Sequence, residues 1–126
     1  MGDAVLRLKR GRERARVHPW IFKGEVADVA GAEQGGVVTV VDVGSHFVGR
    51  GYYNPRPALC CRIVTRANEP LDEAFFRRRL AAAVALRSAG NTPTLARLVW
   101  SEADGLPGLV IDRYGPVAVM QCFTLG

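Results

Sequence analysis

The first half of the chain alternates apolar and polar residues in short runs, and a turn signal follows each run at intervals of roughly ten residues. Such alternation predicts half-buried strands, because successive side chains along a strand point to opposite faces. The strands predicted in this way are 4–8, 25–29, 37–42, 47–53 and 58–64. Strands of this length and spacing predict a small barrel or sandwich.

A short helix is predicted between the first two strands, over residues 12–17, and Pro19 ends it because a residue before proline avoids the helical region. Gly49 and Gly51 interrupt the strand predicted over 47–53. We expect these glycines to mark the bend or bulge that closure of a barrel requires. A dinucleotide-binding loop is a weaker interpretation of this Gly-x-Gly, since such a loop joins a strand to a helix.

The pattern changes to a helical period after the linker Asn68-Glu69-Pro70. Asp72 is a suitable N-cap, and the helix is predicted to bury its apolar residues and to turn its arginines mostly outward. The apolar positions are Phe75, Phe76, Leu80, Val84 and Leu86, and the arginines are Arg77, Arg78, Arg79 and Arg87. Three strands are predicted to follow, over 95–100, 109–113 and 117–123. The chain is therefore predicted to have an α+β fold, with a strand-rich first half and then a helix beside a three-stranded sheet.

Charge is distributed unevenly, although 48% hydrophobic and 23% charged residues are ordinary values for a globular protein. The first 24 residues hold seven of the 17 basic residues and two of the 12 acidic ones, so they account for the whole net charge of +5. Cations clustered beside aromatic rings favour contacts with phosphates and unpaired bases. The residues predicted to bind RNA are Lys9, Arg10, Arg12, Arg14, Arg16, His18, Trp20 and Lys23.

Two alternatives bear on this RNA-binding assignment. His18 and Trp20 also suit a packed corner, in which both rings fill the core and hydrogen-bond locally. A second RNA-binding patch at Arg77, Arg78 and Arg79 is less favoured, because three consecutive helical residues point in different directions.

The remaining composition argues against several functional classes. No apolar run reaches about 18 residues and no signal-peptide pattern opens the chain, so we expect a cytoplasmic protein. Cys60, Cys61 and Cys122 are odd in number and lack metal-ligand spacing, which predicts reduced thiols and argues against disulfides and a zinc site. The adjacent Cys60 and Cys61 should point to opposite faces of their strand, one of them into the core.

The loop before the second strand of the second half carries two carboxylates, Glu102 and Asp104. Paired carboxylates can serve as acid and base or as metal ligands, but no histidine lies nearby in the sequence. Gly105 and Gly108 flank Leu106-Pro107, as a tight loop with positive φ angles requires. We therefore expect this loop to be architectural.

Four segments together resemble a known family. In chain order they are the arginine-rich segment ending in His18-Pro19-Trp20-Ile21-Phe22, the segment Arg50-Gly51-Tyr52-Tyr53-Asn54-Pro55, the segment Phe75-Phe76-Arg77-Arg78-Arg79-Leu80, and residues 102–115, Glu-Ala-Asp-Gly-Leu-Pro-Gly-Leu-Val-Ile-Asp-Arg-Tyr-Gly. Their order and spacing resemble the N-terminal third of the bacterial class I rRNA methyltransferases similar to ribosomal RNA large subunit methyltransferase I, which use S-adenosylmethionine (SAM). The Asp-Gly-Leu-Pro-Gly segment with Asp-Arg-Tyr-Gly behind it is specific.

The resemblance implies a PUA-like β pseudo-barrel that binds RNA over residues 1–66 and a connecting α/β subdomain over residues 67–126. In the family, a further Rossmann-like domain binds SAM and transfers its methyl group to carbon 5 of a cytosine in 23S rRNA. The cofactor loop and nucleophilic cysteine of that domain match no segment here, so Cys60, Cys61 and Cys122 inherit no catalytic role. We therefore expect this chain to bind RNA, in rRNA processing, without catalysis, cofactor or metal.

The last predicted strand, over 117–123, is apolar on both faces, whereas one helix covers only one face of a three-stranded sheet. We therefore expect further chain or a partner to cover the other face, including a second copy in a homodimer. Two alternatives to the leading interpretation stay open. They are a freestanding PUA-type RNA-binding or ribosome-associated protein, and a structural dimerisation module.

Overall fold

The structure is a computed structural model that describes residues 4–11, 18–87 and 95–124. Contacts divide the chain into two compact units, the first ending at Pro70 and the second running from Leu71 to Thr124. Each unit has its own sheet and its own buried core, and the predicted α+β fold is confirmed. The helix predicted over 12–17 lies outside the described residues.

The first unit is a six-stranded sheet that curls into a half-barrel. Its strands are β1 (Val5–Leu8), β2 (Trp20–Phe22), β3 (Val26–Ala30), β4 (Val37–Val41), β5 (Phe47–Tyr53) and β6 (Leu59–Thr65), with a 3-10 helix at Lys23–Glu25. They lie in the order β2-β6-β5-β4-β1-β3, and neighbours are antiparallel except for β1 with β4. The five predicted strands agree with the structure to within one residue at each end, whereas β2 is missing from the prediction.

The core of the first unit fills the inside of the curled sheet with aliphatic side chains and two thiols. Its buried members are Leu6, Leu8, Ile21, Val38, Val40, Val48, Cys60, Cys61 and Ile63. The expectation that Cys60 and Cys61 have opposite environments is wrong, because both are buried. Ile21 pairs with Cys61 and Phe22 with Leu59, so Cys60 is the extra residue of a β-bulge, and a bulged residue departs from the simple alternation.

The two glycines of β5 lie where that strand approaches β6 most closely. The strand register shifts between Arg50 and Gly51, as expected for a bulge. A Cβ atom added at Gly51 would overlap the backbone carbonyl oxygen of Arg62, and one at Gly49 would lie 2.7 Å from the Thr65 carbonyl oxygen. The predicted bend is confirmed, and the absent side chains permit the close approach.

The second unit packs one helix on a three-stranded antiparallel sheet. The helix α1 spans Glu73–Arg87, and the strands β7 (Leu95–Trp100), β8 (Leu109–Tyr114) and β9 (Val117–Cys122) lie in that order, with a 3-10 helix at Ser101–Asp104. The Phe75 backbone N–H donates to an Asp72 carboxylate oxygen at 2.9 Å, which confirms the predicted N-cap.

The buried stripe of α1 differs from the predicted one. Phe76, Leu80 and Ala83 face the core with Val99 and Leu106, a stripe at helical spacing. Val84 and Leu86 are exposed, so their predicted burial is wrong. Leu86 lies off that stripe, whereas Val84, four residues after Leu80, lies at its margin and is 38% exposed.

The face of the sheet that points away from α1 carries exposed apolar side chains around the Arg97–Asp112 ion pair. Val110 of β8 pairs with Trp100 and Gln121 in one cross-strand row, and Asp112 pairs with Arg97 and Val119 in another on the same face. The large apolar residues exposed on this face are Leu95, Trp100, Tyr114, Val117 and Val119, whereas the exposed Met120 pairs with Ile111 on the face toward α1. Within the described second unit, nothing covers this face.

Candidate nucleic-acid interface

The first unit brings two predicted RNA-binding cations, Lys9 and Lys23, onto neighbouring stretches of backbone. Lys9 directly follows β1, and its backbone N–H donates to the Glu25 carbonyl oxygen at 2.9 Å. Glu25 closes the 3-10 helix that Lys23 begins, so the two lysines lie on neighbouring stretches of backbone. Both lysines are exposed, so their ammonium groups can meet a phosphate.

A third cation, Arg56, lies beside Lys23 and is absent from the prediction. The Lys23 ammonium donates to the Arg56 carbonyl oxygen at 2.8 Å, and the Lys23 backbone N–H donates to the Ala58 carbonyl oxygen at 2.9 Å. Arg56 is exposed on the loop between β5 and β6. Lys23 and Arg56 are 33 residues apart in the sequence, so charge clustering along the chain gives no signal for this pair.

Arg10 lies beside a different loop. Its carbonyl oxygen accepts a hydrogen bond from the Val43 backbone N–H at 3.2 Å. Asp42 fixes that loop by accepting the backbone N–H groups of Gly44 and His46, each at 2.9 Å. The bond from the His46 backbone lowers the pKa of Asp42, which therefore stays ionised and holds the turn. The predicted cations thus lie beside two different loops of the first unit, Arg10 at the β4–β5 loop and Lys23 at the β5–β6 loop. Arg12, Arg14 and Arg16 lie outside the described residues.

His18 and Trp20 form an exposed pair at the start of β2. Their rings meet edge to face with centroids 5.0 Å apart, and the Trp20 backbone N–H donates to His18 Nδ1 at 3.3 Å. The local hydrogen bond agrees with the packed-corner alternative, but neither ring fills the core. Ile21 does so instead, whereas Trp20 is 37% exposed. The indole therefore presents an aromatic surface to the solvent.

Arg62 on β6 is the other residue of this region that is absent from the predicted site. Its guanidinium carbon lies 5.5 Å from the centroid of the Trp20 ring, within the range of a cation–π contact. Trp20 and Arg62 are direct partners in the antiparallel pairing of β2 with β6. The alternation of residues 58–64 indicates the strand, but only the pairing register shows that Arg62 reaches Trp20.

The arginines of α1 do not form a common surface. Arg77 pairs with Glu73 at 2.5 Å, and Arg79 donates to the Gly105 carbonyl oxygen at 3.1 Å. Arg78 and Arg79 both lie over the Phe75 ring. These different contacts agree with the expectation that three consecutive helical residues point apart, and they disfavour a second RNA-binding patch.

Asp104 is held in a structural network of the second unit. Arg87 donates to its two carboxylate oxygens at 2.8 and 2.7 Å, and the Trp100 backbone N–H donates to it at 2.6 Å. The Asp104 side chain is only 3% exposed, and the Arg87 guanidinium lowers the pKa of this carboxyl. Gly105 and Gly108 have φ angles of +68° and +77°, as the predicted loop requires.

The other groups with possible chemistry are metal-ligand side chains and the cysteine thiols. No cluster of three or more His, Cys, Asp or Glu side chains among them could hold a metal ion. Burial raises the pKa of the Cys60 and Cys61 thiols, so both are protonated and shielded rather than nucleophilic. No helix in the described ranges is long and apolar enough to cross a membrane.

The chain is similar in sequence to one protein family and to several curated relatives. Residues 5–66 match the family described as PUA-like domain. The chain is 39% identical to ribosomal RNA large subunit methyltransferase I of Alteromonas mediterranea, over 98% of this chain and 32% of that protein. The corresponding protein of Klebsiella pneumoniae is 40% identical, over 94% of this chain and 32% of its own length. The chain thus spans about a third of the length of these curated relatives.

Two solved structures share the fold at low sequence identity. One is described as a SAM-dependent methyltransferase from Streptococcus mutans, with a TM-score of 0.77, 14% identity, and coverage of 95% of this chain and 33% of the other. The second is described as a methyltransferase complexed with SAH, with a TM-score of 0.77, 16% identity, and coverage of 95% and 32%. At these identities the likeness establishes the fold.

Proposed function

We propose that this chain, whose residues 5–66 match the PUA-like domain family, is the RNA-binding portion of a SAM-dependent methyltransferase that acts on 23S rRNA. The observation that carries the proposal is the edge strand β2, which exposes the Trp20 ring beside Arg62 and is followed directly by Lys23, with Lys9 on a neighbouring stretch of backbone. Lysines neutralise phosphates and an exposed indole stacks on unpaired bases, so this edge has both kinds of group that single-stranded RNA requires.

The proposed division of labour gives recognition to this chain and methyl transfer to cytosine carbon 5 to another part of the enzyme. The described residues do not fit SAM, since α1 begins at an aspartate cap and the three strands beside it are antiparallel. A SAM-binding Rossmann-like unit instead has a parallel sheet and a glycine-rich turn into a helix. Residues 1–66 would hold the RNA, and residues 67–126 would connect this RNA-binding domain to the rest of the enzyme.

The proposed roles follow from the side-chain chemistry. The cations would contact phosphates, and His18 and Trp20 would contact bases. The proposed phosphate-binding residues are Lys9, Arg10, Arg12, Arg14, Arg16 and Lys23.

Neutralising the lysine pair tests this assignment. We expect Lys9→Gln/Lys23→Gln to weaken binding of a single-stranded 23S rRNA fragment by about tenfold at 100 mM salt, because each lost phosphate contact removes about 0.7 from the salt slope. Fluorescence anisotropy would measure the affinity. The matched control is Arg77→Gln/Arg78→Gln, which removes the same charge from α1 and should change the affinity much less. An equal or larger loss in the α1 variant would contradict the proposal.

The exposed face of β7, β8 and β9 favours a second candidate role, association with another copy of the chain. We expect the mass measured by light scattering to rise with concentration, because apolar patches of several hundred Å² are typical of interaction sites. Val119→Glu places a charge in the middle of this face and should abolish the rise. The control Val84→Glu alters an exposed apolar residue of α1. A monomer at high concentration in the unmodified chain would exclude this role.

A further inference from the structure

A row of side chains crosses the outer face of the first unit at the level of Trp20. Trp20 pairs directly with Arg62 across β2 and β6, and Arg62 pairs directly with Tyr52 across β6 and β5. Directly paired residues of antiparallel strands share one face of the sheet. The chain neighbours Ile21 and Cys61 are buried in the core, so Trp20, Arg62 and Tyr52 lie on the outer face.

We propose that Trp20, Arg62 and Tyr52 form a stacking platform that binds two or three consecutive unpaired bases of RNA. This proposal rests on the proposed function and adds to it the form of RNA that is bound and two residues, Tyr52 and Arg62, that contact it. An aromatic ring, a planar guanidinium and a second aromatic ring stand on three neighbouring strands. Strands are spaced by about 4.8 Å, so the platform is about 10 Å across. Bases stack on aromatic rings and on guanidinium planes alike.

Contacts within and beside the row hold its side chains in place before a base binds. Arg62 lies over the Trp20 ring at 5.5 Å, and the His18 ring meets the same indole edge-on at 5.0 Å. Trp20 is therefore held between a cation and an imidazole while remaining 37% exposed. Tyr52 and Arg62 are half-buried, which limits the freedom that they would lose when a base binds.

Two cations near the platform, Lys23 and Arg56, could neutralise the phosphates of an RNA backbone. Lys23 follows β2 immediately and hydrogen-bonds through its ammonium to the Arg56 carbonyl oxygen at 2.8 Å. Both residues are exposed. In the described sheet β2 is an edge strand, so an RNA strand that crosses the row from β5 to β2 would bring its bases over the row and its phosphates toward Lys23 and Arg56. A protein partner would not require this combination of stacking surface and adjacent cations.

The platform predicts a preference for single strands. A duplex keeps its bases stacked and paired, whereas an unpaired segment can splay them onto a protein surface. We expect an unpaired oligouridine to bind at least tenfold more tightly than an RNA duplex of equal charge. Stacking does not release counterions, so removing a ring should lower affinity without changing the salt slope.

Trp20 fluorescence tests the platform without altering it. The chain has two tryptophans, so Trp100→Phe leaves Trp20 as the single emitter. Titration with oligouridine should quench that emission. In the same background, Tyr52→Leu should weaken binding by roughly fivefold or more, in line with the stacking contribution of one base, and leave the salt slope unchanged. The control Tyr114→Leu changes an exposed tyrosine of the second unit and should have no effect.

The outcomes of these titrations distinguish the stacking platform from the proposed RNA-binding function. Salt-dependent RNA binding with unchanged Trp20 emission, or equal affinity for duplex and single strand, would overturn the platform and leave the proposed function standing. A chain that binds no RNA would overturn both. Quenching of Trp20 by a protein from ribosomal subunits, with no response to oligouridine, would assign the row to a protein partner and contradict the proposal.

Discussion

Gly51→Ala is expected to destabilise the first unit by about 3 kcal/mol or more, because the added Cβ would overlap the Arg62 carbonyl oxygen. A backbone atom cannot move aside as a flexible side chain can, so β5 and β6 would have to separate. These strands lie in the middle of the sheet and contribute to its core. Urea unfolding followed by Trp20 fluorescence in the Trp100→Phe background would measure the change.

Gly24→Ala is the matched control for this substitution. Gly24 lies in the same unit, and a Cβ there would meet nothing within 4 Å. The control should therefore leave the unfolding midpoint almost unchanged. If Gly51→Ala unfolded at the same urea concentration as the control, the close approach of β5 and β6 would be wrong.

Asp104→Asn is expected to destabilise the second unit by about 2 to 3 kcal/mol, because it breaks a bidentate ion pair at a carboxylate that is 3% exposed. This value lies below the usual cost of breaking a buried pair, about 3 to 5 kcal/mol, since Arg87 keeps partial exposure and its bonds to the Ala83 and Leu98 carbonyl oxygens. RNA affinity should be unchanged, because Asp104 belongs to an architectural loop. Thermal unfolding and anisotropy would measure the two quantities.

The same pair predicts the direction of a pH dependence. The Arg87 guanidinium lowers the pKa of Asp104 in the folded chain, so its stabilising contribution is present above the ordinary carboxyl pKa and is lost as the pH falls through the lowered value. The stability difference between the unmodified chain and Asp104→Asn should therefore be constant near neutral pH and shrink below about pH 4.

The surface variant Asp112→Asn, which breaks the ion pair with Arg97 on the exposed face, should destabilise the chain much less. Reduced RNA affinity with unchanged stability in Asp104→Asn would contradict the architectural role.

Local patterns were sufficient to predict most elements of this fold. Alternation along 47–53 predicts β5, and Asp72 predicts the start of α1, because each signal depends on residues close together in the chain. Gly105 and Gly108 likewise indicate their positive φ angles. In contrast, β2 has only three residues and follows a proline, so it offers no alternation to recognise.

The parts that the sequence does not predict depend on pairing between distant residues. The β-bulge that buries Cys60 arises from the register of β2 on β6, and the pairing of Arg87 with Asp104 joins residues 17 positions apart. The same holds for the candidate site, where charge clustering indicates Lys9 and Lys23 but not Arg62. Arg62 lies after residue 24, where basic and acidic residues are equal in number, so its charge gives no signal. Only the sheet register brings it to Trp20.

The salt dependence of RNA affinity tests most directly whether this chain is an RNA-binding unit. Titration of a fluorescent single-stranded 23S rRNA fragment at several salt concentrations gives the slope of log K against log salt. Three to six phosphate contacts by the N-terminal cations predict a slope between about −2 and −4, at about −0.7 for each contact. A slope near zero, or no binding at low salt, would contradict the account.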